Sequence, residues 1–374
     1  MMKKQMAAAV VISAMAAVSL AGCGGSAAKT AGTAAAETAA QAAAGSTAGE
    51  KASAGAEGGK TFKVGIVQYM DHPSLNQIEE NIESELDKLS SDTGVAYDYK
   101  SYVKNGQGDA STLNQIASDL IAQDVDVLVP IATPAAQICQ SAAEGKNLPI
   151  VFSAVSDPVG AKLVNSLDAP GANITGTSDP INVEALINMI LAVNPDTDYI
   201  GLLYSKSEDS STKAIEDAKA YLDEKGIKYI EKTGTTTDEV ASAADALVAE
   251  GVDAVFTPTD NTIQKAELSI FEKFNKAGIP HYAGADSFAL NGAFCGFGTD
   301  FAELGRVTAD MVADILGNGA DPASTAVKAM DDGIATINTD TCAELKLDIN
   351  TVKDAVKPFC TSVEEIQTQK EFQK

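Results

Sequence analysis

From Phe62 to about Gly317, short β-rich runs alternate with amphipathic helical stretches, and the pattern is written twice. The spacing predicts strands at Phe62–Tyr69, Val95–Tyr102, Asp126–Ile131, Pro149–Val155 and Asn173–Thr177. A second set follows at Tyr199–Tyr204, Lys228–Lys232, Asp253–Pro258, Pro280–Ala285 and Ala293–Gly298. Helices fall between them; in Leu75–Leu89 the apolar residues Leu75, Ile78, Ile82, Leu86 and Leu89 recur at helical spacing. Regular alternation of this kind builds parallel sheets from right-handed strand–helix–strand units.

The halves match phrase by phrase. Val64-Gly65-Ile66-Val67-Gln68-Tyr69 parallels Ile200-Gly201-Leu202-Leu203-Tyr204-Ser205, and Asp126–Thr133 parallels Asp253–Asp260. Pro149-Ile150-Val151-Phe152-Ser153 parallels Pro280-His281-Tyr282-Ala283-Gly284. The fold class is therefore α/β: two Rossmann-like lobes with parallel sheets, joined by a hinge near Asn173–Asp179 and Gly296–Asp300. The expected first lobe is Thr61–Thr175 plus Phe301–Val327. The second is Gly176–Asp300 plus Lys328–Asn350, leaving 351–374 as a C-terminal segment.

The N-terminus is of another kind. Lys3 and Lys4 precede an apolar run from Met6 to Leu20, roughly 15 residues long. That suits a signal-peptide core and is short of the ~20 residues that span a bilayer. Leu20-Ala21-Gly22-Cys23 then resembles a bacterial lipobox, which predicts cleavage of residues 1–22, lipid on Cys23 and an exported chain held on the membrane by its acyl chains. Residues 23–60, almost all Ala, Gly, Ser, Thr, Glu, Gln and Lys, carry no apolar periodicity and read as a flexible tether.

Net charge is −25, and −27 once the two leader lysines are removed; Arg306 is the only arginine. This leaves no basic footprint for nucleic acid and none of the guanidinium forks that grip phosphates and carboxylates. Besides Cys23, the cysteines are Cys139, Cys295, Cys342 and Cys360, with no C-x-x-C pair, and the histidines are His72 and His281. That supports neither a zinc site nor a Cys–His nucleophile. A disulfide between Cys342 and Cys360 is one expectation for an oxidising compartment. No G-x-G-x-x-G follows either leading strand, so no nucleotide cofactor is expected.

Ligands on open parallel sheets sit beyond the carboxyl ends of the strands. In a two-lobed clamshell both sets of ends face one cleft. The first lobe would contribute Gln68, Tyr69, Thr133, Ser153, Ser156 and Asp157; the second would contribute Tyr204, Asp260, Asn261, Asp286 and Ser287. Thr133-Pro134 reads as the start of a helix whose free N–H groups favour a carboxylate. Asp286 and, second to it, Asp260 favour a cation. A small zwitterion such as an α-amino acid would be neutralised from both sides. Asp260 reads equally as a helix cap, and Ser156-Asp157-Pro158 equally as turn chemistry. His72, in Asp71-His72-Pro73, reads as a loop residue.

Several phrases resemble the tryptophan/tyrosine-type family of ABC transporter substrate-binding proteins. They are Val64–Gln68 with His72-Pro73, Ile131–Gln137, Pro149–Gly160, Asn173-Ile174-Thr175-Gly176, Pro258-Thr259-Asp260-Asn261, Ala285-Asp286-Ser287 and Phe301–Arg306. The likeness runs from about Thr61 to Asn350. It implies the type I periplasmic-binding fold and uptake of an amino acid, often aromatic, with a separate permease and ATPase. Phe301 stands where tyrosine is expected, a change read as one of packing. A ligand sensor of the same fold, or a sugar or nucleoside binder, remains the alternative; the lack of tryptophan argues against ring-stacked sugars. An enzyme would need a nucleophile with its base, or a metal cluster, which two scattered histidines do not supply.

Overall fold

The computed structural model describes Lys60–Phe372; the leader, Cys23 and nearly all of the tether lie outside the described residues. The chain runs β1 (Thr61–Gln68), α1 (Pro73–Thr93), β2 (Ala96–Asp98), β3 (Val103–Asn105), α2 (Ala110–Ala122), β4 (Val127–Ile131), α3 (Thr133–Ala142), β5 (Ile150–Phe152) and β6 (Ile174–Ser178). It continues through α4 (Val183–Val193), β7 (Tyr199–Tyr204), α5 (Asp209–Lys225), β8 (Lys228–Thr233), α6 (Thr237–Glu250), β9 (Ala254–Thr257), α7 (Asn261–Ala277), β10 (His281–Ala283), α8 (Asp286–Leu290) and β11 (Cys295–Gly298). Last come α9 (Phe301–Asn318), β12 (Lys328–Ala329), β13 (Ile334–Asn338), α10 (Thr339–Glu344), α11 (Ile349–Val356) and β14 (Ser362–Ile366). No described helix is long and apolar enough to cross a membrane.

The strands form two sheets. One has the order β12-β6-β5-β4-β1-β2, with β3 also paired to β1; the other is β14-β13-β11-β10-β9-β7-β8. Every pairing is parallel except β11 with β13. The repeat has a packing basis. A Cβ on Gly65 would meet Leu120 of α2 at 3.2 Å, and one on Gly201 would meet Leu247 of α6 at 2.8 Å. Both glycines therefore let a helix lie close on the leading strand of its sheet. Gly305 of α9 does the same between helices, since a Cβ there would approach the Ile78 carbonyl of α1 at 2.6 Å.

Three details correct the sequence reading. The strand expected at Val95–Tyr102 is broken, because Tyr102 N–H donates to the Tyr99 carbonyl and turns the chain between β2 and β3. Lys328–Ala329 pairs with β6 in the first sheet, and β14 is the edge strand of the second, so 351–374 is no separate tail. Cys342 and Cys360 are both free, their thiols directed at the Leu347 and Val356 carbonyls.

The chain passes between the sheets three times: after β6, between β11 and α9, and between β12 and β13. These crossings are bound to one another. Met330 N–H donates to Ser178 O at 2.8 Å, and Asp332 accepts from Asp300 N–H at 3.0 Å and from the Thr299 hydroxyl.

Candidate functional site

A cavity lies where the carboxyl ends of the two sheets meet. The β1–α1 turn and the start of α1 contribute His72, Ser74 and Leu75; the first turn of α3 contributes Ala132 and Thr133; the segment after β5 gives Ala154 and Ser156. Asp179 comes from the crossing after β6. The second lobe supplies Ser210, Thr259, Asp260, Asn261, Gln264, Ala285, Ser287 and Phe288, and α9 adds Phe301. The atom-free space among these side chains is about 380 Å³. Little of that space is wide enough to admit a water molecule, so entry of anything the size of an amino acid requires the lobes to part.

Direct hydrogen bonds hold it shut. His72 Nε2 lies 2.9 Å from Asn261 Oδ1, Ser74 Oγ donates to Ser287 Oγ at 2.6 Å, and Gln137 Nε2 donates to Asp209 Oδ2 at 2.8 Å. Each joins the first lobe to the second. At about 0.5–1.5 kcal/mol apiece, such bonds give a closed state that a ligand's differential contacts can outweigh or reinforce.

The electrostatics of the cavity are one-sided. Asp179 and Asp260 line it, with Glu208 just behind, and no lysine or arginine is among the lining residues. Asp260 is the N-cap of α7: its carboxylate accepts from Ile263 N–H at 3.0 Å, Ser205 N–H at 2.7 Å and Ser211 Oγ at 2.6 Å. Glu208 accepts from both the backbone and side chains of Asn261 and Thr262. Burial, and then the charge of Glu208, push the Asp260 carboxyl up. Asp179 is different. Among the described residues its one side-chain partner is Ser156 Oγ at 3.2 Å, and burial lifts its carboxyl to about 7. A buried carboxylate with so little compensation favours an incoming cation.

Three buried polar atoms of the lining residues have no partner among the described residues: His72 Nδ1, Thr133 Oγ1 and Thr259 Oγ1. The backbone of the wall is strained as well. Ala132 has φ 79° and ψ 154°, and Ala154 has φ 54°, conformations an alanine adopts at a cost of about 1–3 kcal/mol and which concentrate at functional sites. Ala132 leads directly into α3, so the positive end of that helix abuts the cavity. Leu75, Phe288 and Phe301 supply the apolar part of the lining, all nearly fully buried.

Of the residues expected from sequence, Thr133, Ser156, Asp260, Asn261 and Ser287 are brought together here. The others stand aside. Gln68 is bound to Met70 O and Asn76 Oδ1, and Ser153 Oγ pairs with Thr308 Oγ1 of α9. Asp157 closes a turn onto Gly160 N–H, and Tyr204 donates to Glu231 at 2.6 Å along the sheet. Tyr69 lines a separate groove, its hydroxyl raised to about 12 by burial and by the charges of Glu208 and Asp260. Asp286 lies beside the lining residues Ala285 and Ser287 but not on the wall; burial raises it to about 7, and its Oδ1 is unpartnered. Sequence reasoning missed Asp179, Gln264 and the part played by His72. Phe301, read as a packing change, is part of the cavity wall.

Comparisons with known proteins place the chain in a family. Residues 63–358 match the family described as ABC transporter substrate binding protein. The chain is 30% identical over 290 residues to a curated tyrosine-binding protein of Clostridioides difficile (strain R20291), covering 77% of this chain and 82% of the relative. Among solved structures it resembles an ABC domain from Streptococcus pneumonia in complex with L-Trp. The TM-score is 0.74 and identity 32%, covering 81% of this chain and 100% of that one. It also resembles the ligand-free, open structure of a substrate binding protein with adhesive properties from Clostridium difficile, at TM-score 0.62 and 29% identity over 82% and 100% of the chains. This chain belongs to the family of ABC transporter substrate-binding proteins.

Proposed function

We propose that the protein captures an L-amino acid with an aromatic side chain in the inter-lobe cavity and delivers it to a permease and ATPase for import. The observation that carries the reading is Asp179, a buried carboxylate in the cavity wall with a single weak side-chain partner and no cation nearby. It takes the ligand's ammonium, with Asp286, buried just off the wall and carrying an unpartnered oxygen, as the next carboxylate to hand. Thr133 Oγ1 and the first amides of α3 take the carboxylate. Leu75, Phe288 and Phe301 face the ring. The names of the C. difficile relative and of the L-Trp complex point to the same ligand class. In this reading the chain works outside the cytoplasm, held to the membrane through a lipid on Cys23, which the Leu20–Cys23 motif supports.

A thermal-shift screen of the twenty amino acids with common sugars and nucleosides tests the ligand class. Tryptophan or tyrosine should give the largest stabilisation. A sugar or nucleoside response with none from any amino acid contradicts the reading. Mass spectrometry of membrane-extracted protein should find an acylated cysteine as the first residue; a mature chain that begins elsewhere rules out the anchor.

A further inference from the structure

The unpartnered nitrogen of His72 has a fixed chemical character, set from the second lobe. The Glu208 carboxylate can only accept, and it receives Asn261 Nδ2–H at 2.6 Å. That fixes the Asn261 amide, leaving its Oδ1 to face His72 Nε2 at 2.9 Å, and an amide oxygen also only accepts. Nε2 therefore carries the ring proton, and Nδ1 is a bare lone pair. It is buried and has no partner among the described residues. Burial also holds the ring neutral, lowering its pKa to about 4. His72, a residue of the cavity lining, thus carries an acceptor that cannot turn itself into a donor.

Resting on the proposed capture of an aromatic amino acid, we propose that His72 Nδ1 reads the far end of the ligand side chain. It accepts the indole N–H of tryptophan or the phenol O–H of tyrosine, and selects both over phenylalanine. Sheet order separates this acceptor from the ammonium site. His72 follows β1 and Asp179 follows β6, with β4 and β5 between them. Three strand spacings separate the two strand ends by roughly 14 Å, and both residues line the same cavity. One ligand can therefore reach both, ammonium at Asp179 and ring donor at His72. A site built around a buried acceptor rejects an analogue that lacks the donor far more strongly than an apolar pocket rejects a size change, because the acceptor is then left unsatisfied.

The test is calorimetric titration of the full soluble chain with L-tryptophan, L-tyrosine, L-phenylalanine and L-4-methylphenylalanine, the last filling the space of tyrosine without its donor. Wild-type protein should bind tryptophan and tyrosine at least tenfold more tightly than phenylalanine and 4-methylphenylalanine. In His72→Leu those ratios should fall to within about threefold, whatever the change in overall affinity from losing the contact to Asn261. Equal binding of tyrosine and 4-methylphenylalanine by the wild type overturns the proposal while leaving amino-acid capture standing, as does an unchanged ratio in the variant. Failure of all four ligands to bind the wild type overturns both.

Discussion

Ser74 of the first lobe donates to Ser287 of the second at 2.6 Å, and the direction of that bond is set from the C-terminal end of the chain. The carbonyls of Gln369 and Lys370 accept from Asn291 Nδ2, leaving Asn291 Oδ1 to accept from Gln264 Nε2 at 3.0 Å. Gln264 Oε1 then accepts from Ser287 Oγ at 3.0 Å, so Ser287 has only a lone pair to offer Ser74. Ending the chain after Ile366 keeps β14 but removes this order. Ligand affinity should fall several-fold, and the loss should not add to that of Ser74→Ala in a double-mutant cycle. Strict additivity would mean that the tail and the cleft are independent.

Asp179→Asn keeps the shape of the side chain and removes its charge. Leaving a ligand ammonium without its counterion in a closed cavity costs about 2–5 kcal/mol, more than tenfold in affinity. Equilibrium titration should register that loss while the circular dichroism spectrum stays unchanged. An affinity within threefold of wild type would move the ammonium elsewhere, with Asp286→Asn the next variant to measure.

The pH dependence has a definite sign. Burial raises the carboxyls of Asp179 and Asp286 to about 7, and burial with neighbouring acids does the same for Glu79. Groups raised in this way stabilise the folded chain fully below their unfolded values, and that stability is lost as pH rises through the folded ones. His72, lowered to about 4, opposes them only as pH falls below about 6.5. The melting temperature of the ligand-free protein should therefore rise as pH is lowered from 8 to 6.5. The extra stabilisation by an amino-acid ligand should shrink over the same interval, because an ammonium binds the deprotonated carboxylate. A ligand-induced shift that is flat with pH would contradict this.

Gly176, in the strand that leads out of the first lobe, has φ +156°, and a Cβ there would run into the carbonyl oxygen of Phe152. Gly176→Ala should lower the urea midpoint, with a loss of about 1–3 kcal/mol or more from overpacking. An unchanged midpoint would show that β5 and β6 can separate without cost.

The two-lobed architecture was readable because it depends on periodicity, and Gly65 and Gly201 mark equivalent close approaches in the two halves. The strand-end rule placed Thr133, Asn261 and Ser287 at the cavity wall for the same reason. It missed Asp179 because the expected strand stopped at Thr177, whereas β6 runs to Ser178 and delivers the next side chain into the cleft. His72 was missed because its environment comes from Asn261, distant in sequence, and loop composition carries no trace of such a pairing. Ser153 and Tyr204 end their strands as expected, but neighbouring helices and strands claim their hydroxyls, which spacing cannot reveal.

The central claim is that a buried carboxylate captures the ligand by its ammonium. Calorimetry at pH 8 with L-tyrosine and with 3-(4-hydroxyphenyl)propionate, the same skeleton without the amino group, tests it most directly. L-Tyrosine should bind one to one, and the deaminated analogue at least tenfold more weakly. Equal or tighter binding of the analogue would contradict the account.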